Sequence, residues 1–258
     1  MLIDYHLHTF LSDGIQKHEK YIKKAIKKKI TEIGFSEHLN FKGKDWVMKI
    51  SDLATCVKIV EGLKKEAKIP LKLGIEIDYL PEGNKKIREI IENNPFDYII
   101  GAVHFIGDWC FDCNEEISGY QNWDIDELYK AYFDLVQKAA KSRLFDIIAH
   151  PDIIKKFGFR PNGDISNLLK ETAECFKENK VCIEVNTSGL DKPCKEIYPS
   201  KEFLKMCFNK GIPIIFGSDA HKPEEVGRYF EKAIKLVKGV GYTKITQFTK
   251  RKRKFVKI

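Results

Sequence analysis

Six of the seven histidines in this 258-residue chain fall at or just past the end of an apolar run. His6 and His8 close the first run, His38 the second, His104 the fourth and His150 the fifth; His221 follows the last. His18 alone sits at the start of a helical stretch. A single strand-end histidine is more often a packed core residue than a ligand. Six at equivalent positions are harder to explain by packing, because every buried imidazole needs a polar partner.

Carboxylates accompany them. In Asp4-Tyr5-His6-Leu7-His8 the two imidazoles lie two residues apart, so a strand points them to one face, as two ligands of one ion would require. Asp219-Ala220-His221 repeats that spacing near the other end of the chain. Glu76 lies inside the apolar run Gly74-Ile75-Glu76-Ile77-Asp78, where an acid is rare unless paired or bound to metal. Asp13 follows the first run in Ser12-Asp13-Gly14. Imidazole mixed with carboxylate suits zinc, manganese or iron. The candidates are His6, His8, Asp13, His38, Glu76, His104, His150, Asp219 and His221, a set large enough for three ions.

The elements that must position these side chains alternate. Strands are expected at 2–8, 31–37, 71–79, 96–105, 145–150, 181–187 and 212–218, and helices at 16–29, 52–67, 84–93, 124–141, 166–179, 200–209 and 224–238. Strand–helix repetition implies a parallel sheet covered by helices. Seven units fit a barrel one short of the usual eight, in which C-terminal strand ends converge on one mouth and the last strand lies beside the first. An open doubly wound sheet is the alternative, but no glycine-rich phosphate loop follows any strand. No linker or repeat divides the chain, so residues 1–258 read as one domain.

Lys plus Arg total 45 against 37 acids, a formal charge of +8. Such a surplus can serve nucleic acid. Here much of it lies between Lys20 and Lys29, where Ile22, Ala25, Ile26 and Ile30 form the inward helical face, and in the tail Lys250–Lys254, both read as solvated and away from the mouth. The seven cysteines, with no export signal at the N-terminus, read as reduced thiols in a cytoplasmic protein. Cys110-x-x-Cys113 lacks the second pair of a zinc site and the context of a redox motif. No apolar run approaches the ~18 residues of a membrane span.

The order of motifs resembles the polymerase-and-histidinol-phosphatase (PHP) superfamily. The resemblance rests on His6-Leu7-His8-Thr9, Ser12-Asp13-Gly14, Ser36-Glu37-His38, Glu76, His104, His150-Pro151 and Gly217-Ser218-Asp219-Ala220-His221, and runs from residue 4 to about residue 227. It implies a distorted (β/α)7 barrel with a trinuclear metal site. His6, His8, Glu76 and Asp219 would hold one ion, Glu76 with His104 and His150 a second, and Asp13, His38 and His221 a third. His18 is the alternative to Asp13.

Within that superfamily the chain is most similar to the histidinol-phosphate phosphatases, through Gly74–Tyr79, Val103-His104-Phe105, Asp108–Asp112, Glu184–Gly189 and Tyr198-Pro199-Ser200. This implies hydrolysis of histidinol phosphate by a metal-bridging hydroxide, with no phosphoenzyme; no general acid is assigned. Arg160, on the loop after the fifth strand, is the expected phosphate fork, and Trp109 with neighbouring acids of the loop after the fourth strand is expected to hold the organic end. A nuclease or other phosphoesterase acting on nucleotides or DNA ends is the competing reading. A nucleic-acid-binding or metal-storage module without catalysis is a third. Neither membrane nor nucleic acid is an expected partner.

Overall fold

The computed structural model describes all 258 residues. In chain order the elements are β1 (Ile3–Asp4), α1 (His18–Lys27), β2 (Glu32–Phe35), β3 (His38–Leu39), α2 (Leu53–Glu66), β4 (Leu71–Asp78), α3 (Asn84–Glu92) and β5 (Tyr98–Ala102). They continue with β6 (Phe105–Ile106), β7 (Trp109–Cys110), α4 (Ile125–Lys141), β8 (Ile147–Ile148), α5 (Ser166–Glu178), β9 (Cys182–Asn186), α6 (Lys201–Asn209), β10 (Ile214–Gly217), α7 (Phe230–Val240), β11 (Lys244–Thr249) and β12 (Lys252–Lys257).

The parallel sheet runs β1-β2-β4-β5-β8-β9-β10, with β3 also on β4 as a continuation of the path begun by β2. Its ends meet. Tyr5 N donates to Phe216 O at 3.3 Å, His8 N to Ala220 O at 3.0 Å and Ala220 N to His6 O at 3.2 Å. The seven expected strand regions therefore close into a barrel, and the open sheet is ruled out.

Helix faces follow the apolar spacing. On α1, Tyr21, Ile22 and Ala25 are buried while the lysines point outward. Ile26, expected on the inward face, is 39% exposed, and Tyr21 fills that place. The last helix starts later than expected, at Phe230, after a short turn at Pro223–Glu225. Asp124 caps α4 by accepting from the N–H groups of Asp126 and Glu127, as orphan donors at a helix start require.

The tail is not merely solvated. β11 and β12 form an antiparallel hairpin that buries Ile245 and Phe248. Phe248 packs within 6.3 Å of Tyr5, whose ring stacks on Tyr98 at 4.7 Å. Tyr98 in turn fills the space beside Gly74, where a Cβ would lie 2.2 Å from its ring. Arg251 pairs with Asp146 at 2.8 Å, so part of the basic tail ties the hairpin to β8. The sequence offers little to reveal this, because five of the six β12 residues are exposed and four of them are lysine or arginine.

Cys110 and Cys113 are joined by a disulfide, and the other five cysteines are free. The expectation of seven reduced thiols is corrected there. The turn after β7 brings the two Cα atoms to 5.4 Å, well inside the span a disulfide can bridge. No helix is long and apolar enough to cross a membrane.

Candidate metal centre

All six strand-end histidines converge at the C-terminal end of the barrel, around Glu76. His6 Nε2 lies 3.1 Å and His8 Nε2 3.6 Å from Glu76 Oε2, and both face Asp219 Oδ1, at 3.7 and 3.4 Å. The other Glu76 oxygen faces His150 Nε2 at 3.2 Å and His104 Nε2 at 4.0 Å. Asp13 meets His221 Nε2 at 3.2 Å and His38 Nε2 at 3.7 Å. His38 also presents Nδ1 to Glu76 Oε2 at 2.8 Å, so it stands between two groups. His8 is likewise shared, within reach of Asp13, His38 and His221.

Burial grades across the site. His6, His8, Glu76 and His150 are sealed, while the side chains of His221 and Asp13 are 29% and 32% exposed. The third group therefore forms the open side. His18 stands apart, packed on Phe35 with Nε2 3.9 Å from Glu37, and Asp13 rather than His18 joins the cluster.

The donors fit divalent cations. His6 Nε2, both His8 ring nitrogens and Glu76 Oε2 are buried without a well-aligned hydrogen bond, close as His6 and His38 come to Glu76 Oε2. Orphaned lone pairs and carboxylate charge in one sealed volume are costly unless a cation meets them. The protonation pattern points the same way. Burial opposes charge on His6, but Glu184, Glu76 and Asp219 outweigh it and hold its pKa well above normal. Burial likewise opposes charge on His38 and His104, yet Glu76 and Asp13 raise the first to about 9, and Asp78 and Asp112 raise the second to about 10. His8 is pushed down to about 3 by burial and by its neighbours His38 and His221. Glu76 and Asp219 stay well below the carboxylate range, because the surrounding imidazoles outweigh their burial.

A second layer of acids aims the imidazoles. Asp78 accepts from His104 Nδ1 at 2.6 Å and is itself held by Asn40. Glu184 accepts from His6 Nδ1 at 2.6 Å. Glu37 gathers Thr9 and Ser12, fixing the loop that carries Asp13. Such partners select the ring tautomer that leaves the opposite nitrogen free. Sequence reading assigned none of these acids a role. The signal was available: Asp78 and Glu184 are acids inside apolar strands, the criterion that picked out Glu76.

Above the centre opens a cavity of about 720 Å³, a size suited to a small ligand. Trp46, Asp112, Glu115, Lys156, Lys192 and Tyr198 are among its walls. Two expectations fail here. Arg160 does not line the cavity; 45% exposed, it pairs outside it with Glu196 at 3.0 Å. Glu196 also takes Lys155, at 2.9 Å, which draws the arginine away from the mouth. Trp109 does not line it either. Its Nε1 donates to Glu116 O at 2.9 Å and its ring lies against Gly119 and Tyr120, bracing the segment Asn114–Asn122. The basic residues are not all remote from the mouth, since Lys44, Lys156 and Lys192 reach it. Lys44 pairs with Glu116 and Lys156 with Asp112, whereas Lys192 has no carboxylate partner.

The PHP domain family matches residues 4–188, and a PHP-associated family matches residues 204–232. The chain belongs to the PHP family. A protein of Deinococcus radiodurans named "Probable histidinol-phosphatase" is 32% identical over 95% of this chain and 96% of its own. The histidinol-phosphatase of Bacillus subtilis is 28% identical over 88% and 96%. Among solved structures, the histidinol phosphate phosphatase of Lactococcus lactis, complexed with zinc, L-histidinol and phosphate, superposes with a TM-score of 0.84 at 24% identity, over 98% of both chains. That likeness establishes the PHP barrel, and PHP phosphoesterases are metal-dependent.

Proposed function

We propose that this chain hydrolyses histidinol phosphate to histidinol and phosphate, a late step of histidine biosynthesis, in the cytoplasm. The observation that carries the reading is the constellation of six imidazoles around Glu76 beneath a small-molecule cavity, in a chain whose full-length relatives bear that activity's name.

The residues divide as the motifs implied. His6, His8, Glu76 and Asp219 would hold one divalent ion, Glu76 with His104 and His150 a second, and Asp13, His38 and His221 a third, with zinc, manganese or iron as occupants. Ions bound there supply a lowered water pKa and charge stabilisation for an in-line displacement at phosphorus.

The chain's own side chains do the rest. Lys192, unpaired and half-buried at the mouth beside Ser188 and Asp219, takes the role expected of Arg160 and meets the phosphoryl oxygens. Burial and the nearby Lys156 lower its pKa, but its charge is what a dianion would meet. Asp45, Asp112, Glu115 and Glu116 supply the acidic wall that a substrate carrying an ammonium and an imidazole requires. The edge of Trp46, 5.0 Å from the His38 ring, bounds the same space.

The +8 charge favours a nuclease as the second reading. The mouth does not: beyond the metal-binding candidates it presents Lys44, Lys156 and Lys192 against four acids. Parallel assays of phosphate release from histidinol phosphate and cleavage of a single-stranded oligonucleotide, with added manganese or zinc, distinguish the two. Turnover of the oligonucleotide alone would overturn the proposal.

A further inference from the structure

Glu184 is fully buried at the middle of β9 and spans two of the proposed ion sites. Its Oε1 accepts from His6 Nδ1 at 2.6 Å, and its Oε2 accepts the backbone N–H of His150 at 2.8 Å. His6 lies in the first site and His150 in the second. The cradle around this carboxylate is close-fitting, because a Cβ on Gly217 would lie 1.8 Å from Oε1. His150 has a φ of 23°, a backbone state that a non-glycine residue keeps only under outside constraint. The hydrogen bond that its N–H donates to Glu184 supplies one such constraint.

We propose that Glu184 is a positioning residue that couples the first and second ion sites, fixing the ring tautomer of His6 and the backbone of His150 with one carboxylate. The inference rests on the metal reading given above. With Nδ1–H committed to Glu184, His6 offers Nε2 as a lone pair toward Glu76 and Asp219. With its N–H anchored, His150 directs Nε2 at the other oxygen of Glu76. None of Asp13, His38 and His221, the residues of the third site, donates a hydrogen bond to Glu184.

The isosteric Glu184→Gln separates these roles. A glutamine has one acceptor oxygen, so it can satisfy one of the two N–H groups, and its NH₂ faces the other. If the amide donates to His6 Nδ1, the proton moves to Nε2 and the ligand is lost. Substitution of such partners costs about 10- to 100-fold in metal affinity.

Zinc titration of chelator-stripped protein, followed by calorimetry and elemental analysis, tests the proposal. Wild-type protein is expected to bind three ions. Glu184→Gln is expected to lose about 10- to 100-fold in affinity at the first site, the second or both, according to which N–H its amide fails to accept, and to keep the third unchanged. A wild type that binds no zinc sinks the metal reading and the proposal with it. A wild type that binds zinc and a variant that binds it identically, or more weakly at all three sites alike, overturns the proposal alone. Should the variant fail to fold, the tautomer of His6 in zinc-loaded wild type decides, read from long-range proton–nitrogen correlations. A protonated Nδ1 supports the coupling, and a protonated Nε2 overturns it.

Discussion

His104 and His150 direct their Nε2 atoms at each other across 3.4 Å. His104 gives its Nδ1–H to Asp78, so its Nε2 is a lone pair unless a second proton is bound. Two facing imidazole nitrogens need either a proton or a metal cation between them, and Glu76 Oε1, 3.2 Å from His150 Nε2, supplies the matching charge. Neither residue is near the other in sequence. They meet because β5 and β8 are neighbours in the barrel, with Ile100 opposite Ile147.

Glu76 is the carboxylate shared by most of these rings, and its removal tests the cluster. Glu76→Gln is expected to lose at least one ion per chain by elemental analysis and to drop turnover by a hundredfold or more, the upper range for losing a metal-bound charge. Full metal content with activity retained would exclude a bridging role.

Strong chelators are expected to abolish activity and lower Tm, because ions that bind only the folded chain stabilise it by mass action. Manganese or zinc should restore both. An activity indifferent to prolonged chelation would contradict the metal reading.

Lys192→Ala should raise KM for the phosphate ester roughly ten- to hundredfold, the value of one charge-assisted contact of ~1.5–3 kcal/mol. Metal content should not change. Arg160→Ala, by contrast, should leave KM within about twofold, since an exposed ion pair such as that with Glu196 contributes ~0–1 kcal/mol. Kinetics of the two variants side by side check the exchange of roles, and a large KM effect confined to Arg160→Ala would reverse it.

That exchange shows where sequence stops being informative. The barrel, its seven strand regions and the convergence of the nine candidate side chains are legible, because strand ends are marked by apolar runs and meet by topology. Loop side chains are not. Arg160 and Lys156 lie on the same loop, and only the position of Glu196 and Asp112 decides which of them faces the cavity. Trp46 and Lys192 carry no local signal at all. The terminal hairpin is not legible because β11 has only two apolar residues, Ile245 and Phe248, among six and β12 is mostly basic.

The hairpin is held in part by Asp97, which accepts from Lys250 N at 3.0 Å, Leu73 N at 3.0 Å and Lys64 Nζ at 2.8 Å. Burial tends to raise its pKa, but Lys64 and the two N–H groups outweigh that and lower it. A carboxyl depressed in the folded state contributes stability above its ordinary value of about 4 and loses it as pH falls through the folded value. The Tm gap between wild type and Asp97→Asn should therefore be widest near neutrality and shrink in acid. A gap independent of pH would contradict this role.

Substrate choice is read most directly from kcat/KM for histidinol phosphate beside that for phenyl phosphate, with the metal-loaded chain. A site whose acidic wall faces the ammonium and imidazole should prefer histidinol phosphate by about tenfold or more, because an ester lacking those groups forgoes charge-assisted contacts worth ~1.5–3 kcal/mol. Equal values for the two esters would contradict the substrate assignment while leaving a PHP-family phosphoesterase.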